Sequence, residues 1–308
     1  MGRVFFLDRQ TKKVEEEHIY GEFFLKLFYG EKKVNRWFFS LFLPLITKST
    51  WLASLFASIQ KSSFSKKKIE SFIEKYQIVK EDFERPPGGY SSFNDFFIRK
   101  LAPYAREIDK REKKAVLPAD ARYLFFKDIT QSNRFFVKGQ KLNLEALTGS
   151  RALAEKYKGG SLVLARLCPT DYHRFHFPAN CIPSAPTLIE GPLYSVSPLA
   201  LRKKIEILSS NKRMLTTLET NDFGDILFIE IGATFVGSIK QTFTPGKFYR
   251  KGEEKGYFEF GGSSIILLFE KDHLIFEEDL QEGELNHIEI KGLMGQTLGE
   301  APLKFFTF

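Results

Sequence analysis

The chain has 308 residues, 43% hydrophobic and 15% aromatic, with 13 prolines, 22 glycines and a net charge of +8. That composition excludes a disordered tail or a collagen-like repeat and supplies a core for one large domain or two ordinary ones. Two cysteines, Cys168 and Cys181, with no C-x-x-C pairing exclude a disulfide scaffold and a cysteine-rich zinc module.

Residues 1–17 mix Arg3, Asp8, Lys12, Lys13 and three consecutive glutamates, so they lack the apolar core of a signal peptide, and the protein is expected to stay where it is made. Residues 18–27 read as helix. From 32 to 69 there is no Asp or Glu, while Lys32, Lys33, Arg36, Lys48, Lys61, Lys66, Lys67 and Lys68 account for the whole positive excess. This basic segment holds two apolar stretches, 37–47 and 49–60, each shorter than the roughly 20 apolar residues that span a bilayer. At helical spacing Trp37, Phe38 and Leu41 share one side, and the pattern resumes after Pro44 around Trp51, Leu55 and Phe56. Bases flanking aromatics describe helices lying in a membrane interface and attracted to anionic lipid. The competing reading packs the same helices on the protein's own core. Nucleic acid is not an expected partner, because the aromatics alternate with Leu and Ile rather than with Asn, Gln and Arg.

A further helix is expected over 66–76, and Arg85-Pro86-Pro87-Gly88-Gly89 then breaks the pattern and suggests a boundary near residue 88. Beyond it, short β-branched and aromatic runs predict strands at 122–126, 134–137, 161–166, 226–231, 238–243, 257–260, 264–269 and 287–290. Short helices are expected at 91–97, 143–147 and 152–157. The fold class is therefore α+β, with an N-terminal amphipathic helical region (1–88) before a β-rich catalytic domain (89–308).

Two segments could carry chemistry. His173 and His176 lie within Asp171-Tyr172-His173-Arg174-Phe175-His176-Phe177-Pro178, and an imidazole suits proton transfer near neutral pH. Metal ligation and simple packing stand as alternatives for this pair. The second segment, Gly261-Gly262-Ser263-Ser264 before a hydrophobic run, reads plainly as a turn entering a buried strand. Its chemical reading is attack of the Ser263 hydroxyl on the Gly262 carbonyl. Glycine there tolerates a strained backbone, and the resulting ester can be eliminated to give a pyruvoyl group.

Taken in order, several pieces resemble the phosphatidylserine decarboxylases. They are Phe93-Asn94-Asp95-Phe96-Phe97-Ile98-Arg99-Lys100-Leu101 with Ala105-Arg106-Glu107-Ile108-Asp109, Pro118-Ala119-Asp120, Val137-Lys138-Gly139, the histidine segment, Phe223-Gly224-Asp225, Gly232-Ala233-Thr234-Phe235-Val236-Gly237-Ser238-Ile239, and the Gly-Gly-Ser-Ser turn. The resemblance implies a proenzyme that cuts itself between Gly262 and Ser263. The products would be a 1–262 beta chain and a 263–308 alpha chain that stay together as a heterodimer, with higher homo-oligomers open. Ser263 would become a covalent pyruvoyl cofactor. The family's Leu-Gly-Ser-Thr stands here as Gly261-Gly262-Ser263-Ser264, which keeps the nucleophile.

The same resemblance assigns a self-cleavage triad to Asp120, His176 and Ser263, with His176 as base and Asp120 orienting it, and gives His173 to substrate handling or decarboxylation. It implies a Schiff base between the pyruvoyl group and the amine of phosphatidylserine, release of CO2 and phosphatidylethanolamine, and no metal. It also implies peripheral attachment to the cytoplasmic face of the cell (inner) membrane. Two rivals remain at this stage: a serine hydrolase using the same three residues without self-cleavage, and a non-enzymatic membrane-binding protein.

Overall fold

Short apolar runs become strands here, and those whose two faces are both covered are hydrophobic along their whole length. A computed structural model describes residues 3–17, 50–130, 142–201, 204–233, 238–281 and 288–302. Among the described residues the main sheet has ten strands. At the centre, β4 (Ala121–Phe126), β5 (Ser161–Leu167), β13 (Ser263–Phe269), β10 (Asp225–Gly232) and β9 (Arg213–Glu219) run antiparallel in that spatial order. Beyond β9 lie β7 (Ile182–Pro183) and β8 (Thr187–Ile189). Beyond β4 lie β15 (Glu289–Gly292), then β1 (Phe5–Asp8), parallel to it, and β2 (Val14–Glu16).

Two three-stranded sheets cover one face of this sheet. One is β11 (Ile239–Gln241), β12 (Glu254–Phe258) and β6 (Arg174–His176); the other is β14 (Ile275–Phe276), β16 (Thr297–Glu300) and β3 (Lys114–Val116). Phe175, Phe177, Phe228, Phe258, Ile265 and Leu267 pack in this layer. The opposite face is closed by helices: α4 (Leu144–Thr148), α5 (Arg151–Lys156), α6 (Pro198–Leu201) and α7 (Ile207–Ser210) bring Leu147, Leu201 and Leu208 against Leu164, Ile229, Ile266 and Leu268. Coverage on both sides explains why β5 and β13 are buried at every position and read as continuous apolar runs rather than as alternation.

A third cluster joins the N-terminal helices to the catalytic part. Ile69, Phe72 and Ile73 of α2 (Ile69–Tyr76) meet Phe93, Phe96 and Phe97 of α3 (Phe93–Phe97), together with Phe260. Ser92 caps α3 by accepting from the Asp95 N–H, so the short helix has a defined start. Helix α1 (Thr50–Lys61) precedes them, and its Lys61 pairs with Glu259 at 2.7 Å.

The expected helices at 49–60, 66–76, 91–97, 143–147 and 152–157 all have counterparts, the second entered through a 3-10 turn at Ser63–Lys68. The expected strand at 134–137 and helix at 18–27 lie outside the described residues. Residues 5–16 differ from the reading of 1–88 as mainly helical. They form a hairpin hydrogen-bonded into the main sheet, because Phe6 has a buried place beside β15. Strand β9 was not anticipated: Met214-Leu215-Thr216-Thr217-Leu218 mixes both periods, and its pairing with β10 decides.

Candidate active site

Ser263 opens β13, directly after the Gly261-Gly262 turn, and is fully buried. Strand alternation turns it toward the layer holding Phe175 and Phe258, while Ser264 faces the helical layer. The strained backbone sits one residue earlier than the sequence suggests. Gly261 has φ +142°, whereas a side chain at Gly262 would meet Ala233 and Val196 only at ordinary contact distance.

The imidazole beside Ser263 belongs to His173. Its Nδ1 lies 3.4 Å from Ser263 Oγ, and its Nε2 lies 2.8 Å from the Cys168 carbonyl. His173 is fully buried, and desolvation pushes its pKa down to about 3, against the opposing hydrogen bond to Cys168. A neutral ring that donates Nε2–H to Cys168 leaves Nδ1 as an acceptor aimed at the serine hydroxyl. Phe97 stacks on this ring with centroids 3.9 Å apart, and Phe260 packs edge-on against Phe97. Aromatic walls therefore exclude water from the pair.

His176 is held elsewhere. Its Nδ1 is 2.8 Å from the Gly252 carbonyl and its Nε2 is 3.0 Å from the Tyr172 hydroxyl. Burial lowers its pKa, with the charges of Glu254 and Asp120 acting the other way. Asp120 accepts from Arg106 Nη2 at 2.7 Å and from the Met294 N–H at 2.8 Å, and makes no hydrogen bond to His176 among the described residues. Arg106 also binds Asp82 and lines, with Met294, a cleft of about 1210 Å³ that does not include Ser263. The structure thus brings His173 and Ser263 together and leaves Asp120 and His176 as neighbours.

Several residues without an assigned role frame the Cys168-to-His173 loop. Arg99 is almost fully buried, donates to the carbonyls of Phe96, Thr170 and Asp171, and lies over the rings of Phe83 and Phe96. Arg122 binds the Asp171 carboxylate, which in turn accepts from the Cys168 N–H. Arg99 and Asp171 stand in segments already singled out by sequence; Arg122, one strand away, carried no such signal.

Of the residues expected at a membrane, Trp37, Phe38 and Leu41 lie outside the described residues, as do the side chains of Trp51 and Phe56. Leu55 is exposed on α1, with Ile59 one turn on and Phe64 beyond the helix at 81% exposure. Among the described residues no helix is long and apolar enough to cross a membrane.

A buried serine that follows a Gly-Gly turn and faces a neutral imidazole acceptor is an arrangement of the kind that activated-nucleophile enzymes use. A model of the phosphatidylserine decarboxylase family matches residues 93–300. The chain is 41% identical over 295 residues to the phosphatidylserine decarboxylase proenzyme of Chlamydia muridarum, with 96% of each chain covered. It is 39% identical over 299 residues to that of Chlamydia pneumoniae (96% and 97% covered) and 44% identical over 257 residues to that of Chlamydia caviae (83% and 86%). The chain belongs to the phosphatidylserine decarboxylase family.

Proposed function

We propose that this protein is a self-processing, pyruvoyl-dependent decarboxylase that converts phosphatidylserine to phosphatidylethanolamine and CO2 at a membrane surface. Family membership supports the substrate and the reaction. The observation that carries the self-processing is the water-excluded pair of Ser263 Oγ and His173 Nδ1 at 3.4 Å.

In the first step His173 Nδ1 takes the hydroxyl proton as Ser263 Oγ attacks the Gly262 carbonyl carbon. The C–N bond breaks, the amine of residue 263 takes up the proton, and an ester joins 262 to 263. Removal of the α-proton then expels the Gly262 carboxylate and leaves a dehydroalanine, which water converts to a ketone with loss of ammonia. The cut gives 1–262 and 263–308 chains, which the β5–β13–β10 pairing would keep as one folded unit.

The site fits a pyruvoyl group: the serine that would become it is buried beside a neutral imidazole, and the next hydroxyl, Ser264 Oγ, is buried with no hydrogen-bond partner among the described residues. Such a group supplies a covalent electron sink in place of pyridoxal phosphate. His173 would then hold or deliver a proton at the reacting carbon, and Phe97 would fix its ring. Asp120 and His176, the family's triad positions, support the site from its margin. The basic, aromatic segment 32–69, with exposed Leu55, Ile59 and Phe64, would hold the enzyme peripherally against anionic lipid on the cytoplasmic face of the membrane.

The test is intact-mass analysis of the purified protein beside Ser263→Ala, with carbonyl labelling. A 46-residue C-terminal fragment bearing a ketone, absent from the variant, is expected. A whole, ketone-free wild-type chain that leaves phosphatidylserine unchanged would overturn the reading.

A further inference from the structure

The turn that carries the Gly262–Ser263 bond is held at its two ends by different means. Strand β12 ends at Phe258 and β13 begins at Ser263. Ser263 pairs with Leu167 on one side and Gly232 on the other, so two strands fix the downstream end. Upstream, the Phe258 N–H reaches the His173 carbonyl at 3.0 Å and the Glu259 N–H reaches the Ser238 carbonyl at 3.2 Å. The next donor, the N–H of Phe260, is taken by a side chain instead. Asn94 Oδ1, on α3, accepts it at 3.0 Å, and both residues are buried.

Gly261 follows at φ +142°, a conformation open to glycine and strained for other residues. Such backbone persists only where its surroundings hold it from both ends. Strand β13 supplies one end, and Phe260 is the held residue at the other. Its ring packs against Phe93 and Phe97, with centroids 5.3 and 4.9 Å apart, which places the ring but leaves the peptide plane able to turn. The directional bond to Asn94 sets that plane. Asn94 is itself seated, because Ser92 caps its helix and the buried Ser65 Oγ accepts from the Phe93 N–H at 2.8 Å. Lys61 holds the neighbouring Glu259 at 2.7 Å, but from a half-exposed side chain, where an ion pair contributes little.

We propose that Asn94 is a positioning residue for self-processing. By holding the Phe260 peptide it keeps Gly261 in its strained conformation and the Gly262 carbonyl within reach of the Ser263 hydroxyl. This rests on the cut between Gly262 and Ser263 proposed above, and it holds whichever group takes the serine proton.

The experiment follows release of the 46-residue fragment over time by intact mass in full-length wild type, Asn94→Ala, Asn94→Asp, Ser92→Ala and Lys61→Met. Each change is also placed on the uncut Ser263→Ala chain to read its melting temperature. A small misplacement of a reacting group costs up to about a hundredfold in rate, so Asn94→Ala should slow cutting by about tenfold or more. Asn94→Asp keeps an oxygen acceptor at the same place and should recover a large part of that loss, whatever its melting temperature. Ser92→Ala loosens the same helix but leaves the Asn94 amide, so at a comparable loss of melting temperature it should slow cutting less than Asn94→Ala. Lys61→Met should cut at close to the native rate.

Unchanged cutting in Asn94→Ala, or cutting no faster in Asn94→Asp than in Asn94→Ala, would overturn the proposal. So would slowing by Lys61→Met, or by Ser92→Ala at equal melting temperature, as great as that by Asn94→Ala. A wild-type chain that never cuts would mean that the self-processing reading itself has failed. If the wild type cuts and Asn94→Ala keeps pace with it, only the role of Asn94 has.

Discussion

If the chain cuts itself as proposed, His173→Ala and His176→Ala should slow that cleavage to different extents, and the structure sets the sizes. His173 Nδ1 is the acceptor 3.4 Å from Ser263 Oγ, so its removal takes away the proton acceptor for the first step. General base catalysis contributes about 10²–10⁴ in rate, equivalent to roughly 3–5 kcal/mol in the barrier. Self-cleavage in His173→Ala should fall by that factor. His176→Ala removes hydrogen bonds to Tyr172 and to the Gly252 carbonyl but none to Ser263, so it should slow cleavage by about tenfold or less through shifts in its strand. The assay is a time course of the 46-residue fragment by intact mass, started from freshly refolded or newly translated chain, with circular dichroism to confirm folding. Full cleavage in His173→Ala together with an uncut His176→Ala would refute this reasoning. It would require His176 to leave Tyr172 and reach Ser263 in the precursor, restoring the roles that the family resemblance implied.

The cleavage rate should stay level as pH falls through 6.5, because burial holds the His173 pKa at about 3; an acid limb centred between 6 and 7 would contradict a neutral buried base. Glu17 is desolvated, but the charge and hydrogen bonds of Arg166 outweigh that and lower its pKa from an ordinary 4.5 to about 2. A lowered folded pKa contributes stability above 4.5 that is lost as pH falls toward 2, worth about 3 kcal/mol, so in the uncut Ser263→Ala background Glu17→Gln should flatten the acid side of a denaturation series. Lys255→Met should cost about 3–5 kcal/mol in urea unfolding, since it strands the fully buried Glu230 without its ion-pair partner; a loss under about 1 kcal/mol would show that Glu230 relaxes or protonates cheaply. Replacing Leu55, Ile59 and Phe64 together with serine should reduce binding to anionic vesicles at least tenfold without changing self-cleavage, and undiminished binding would remove this face from the membrane reading.

The sequence makes the central strands and the position of Ser263 legible for the same reason: long apolar runs bounded by glycine turns have few alternatives. The Gly261-Gly262 turn leads into β13, which Ser263 opens, and His173, one residue before β6, lies 3.4 Å from that serine. Which histidine meets the serine was not legible. His173 and His176 are three residues apart, and the choice depends on which backbone carbonyl each ring finds, Cys168 or Gly252, the second contributed from 76 residues away. Asp120 likewise went to Arg106 and the Met294 N–H, partners that no local pattern assigns. The N-terminal hairpin escaped because its three- and four-residue strands are too short to show a period and gain their order from β15.

The burial of Ser263 poses opposite demands on one site. Self-cleavage is served by a closed, dry pocket, because a neutral imidazole and a hydroxyl exchange a proton best without competing water. A lipid headgroup, on the proposed mechanism, would have to reach the same residue. The wall that closes the pocket is built from Phe97 and Phe260, and these belong to the cluster that carries Phe72 and Phe93 of the helices next to the exposed Leu55, Ile59 and Phe64. The side of the site nearest these exposed apolar residues is therefore its aromatic wall, while the histidine loop is tied down by the ion pairs of Arg166 and Arg122. On the proposed mechanism, ion pairs under the histidine loop and rings above it would divide the two demands between two materials: the charges would fix the loop, and the rings, held by contacts that weaken over fractions of an ångström, would be the part to move for a headgroup.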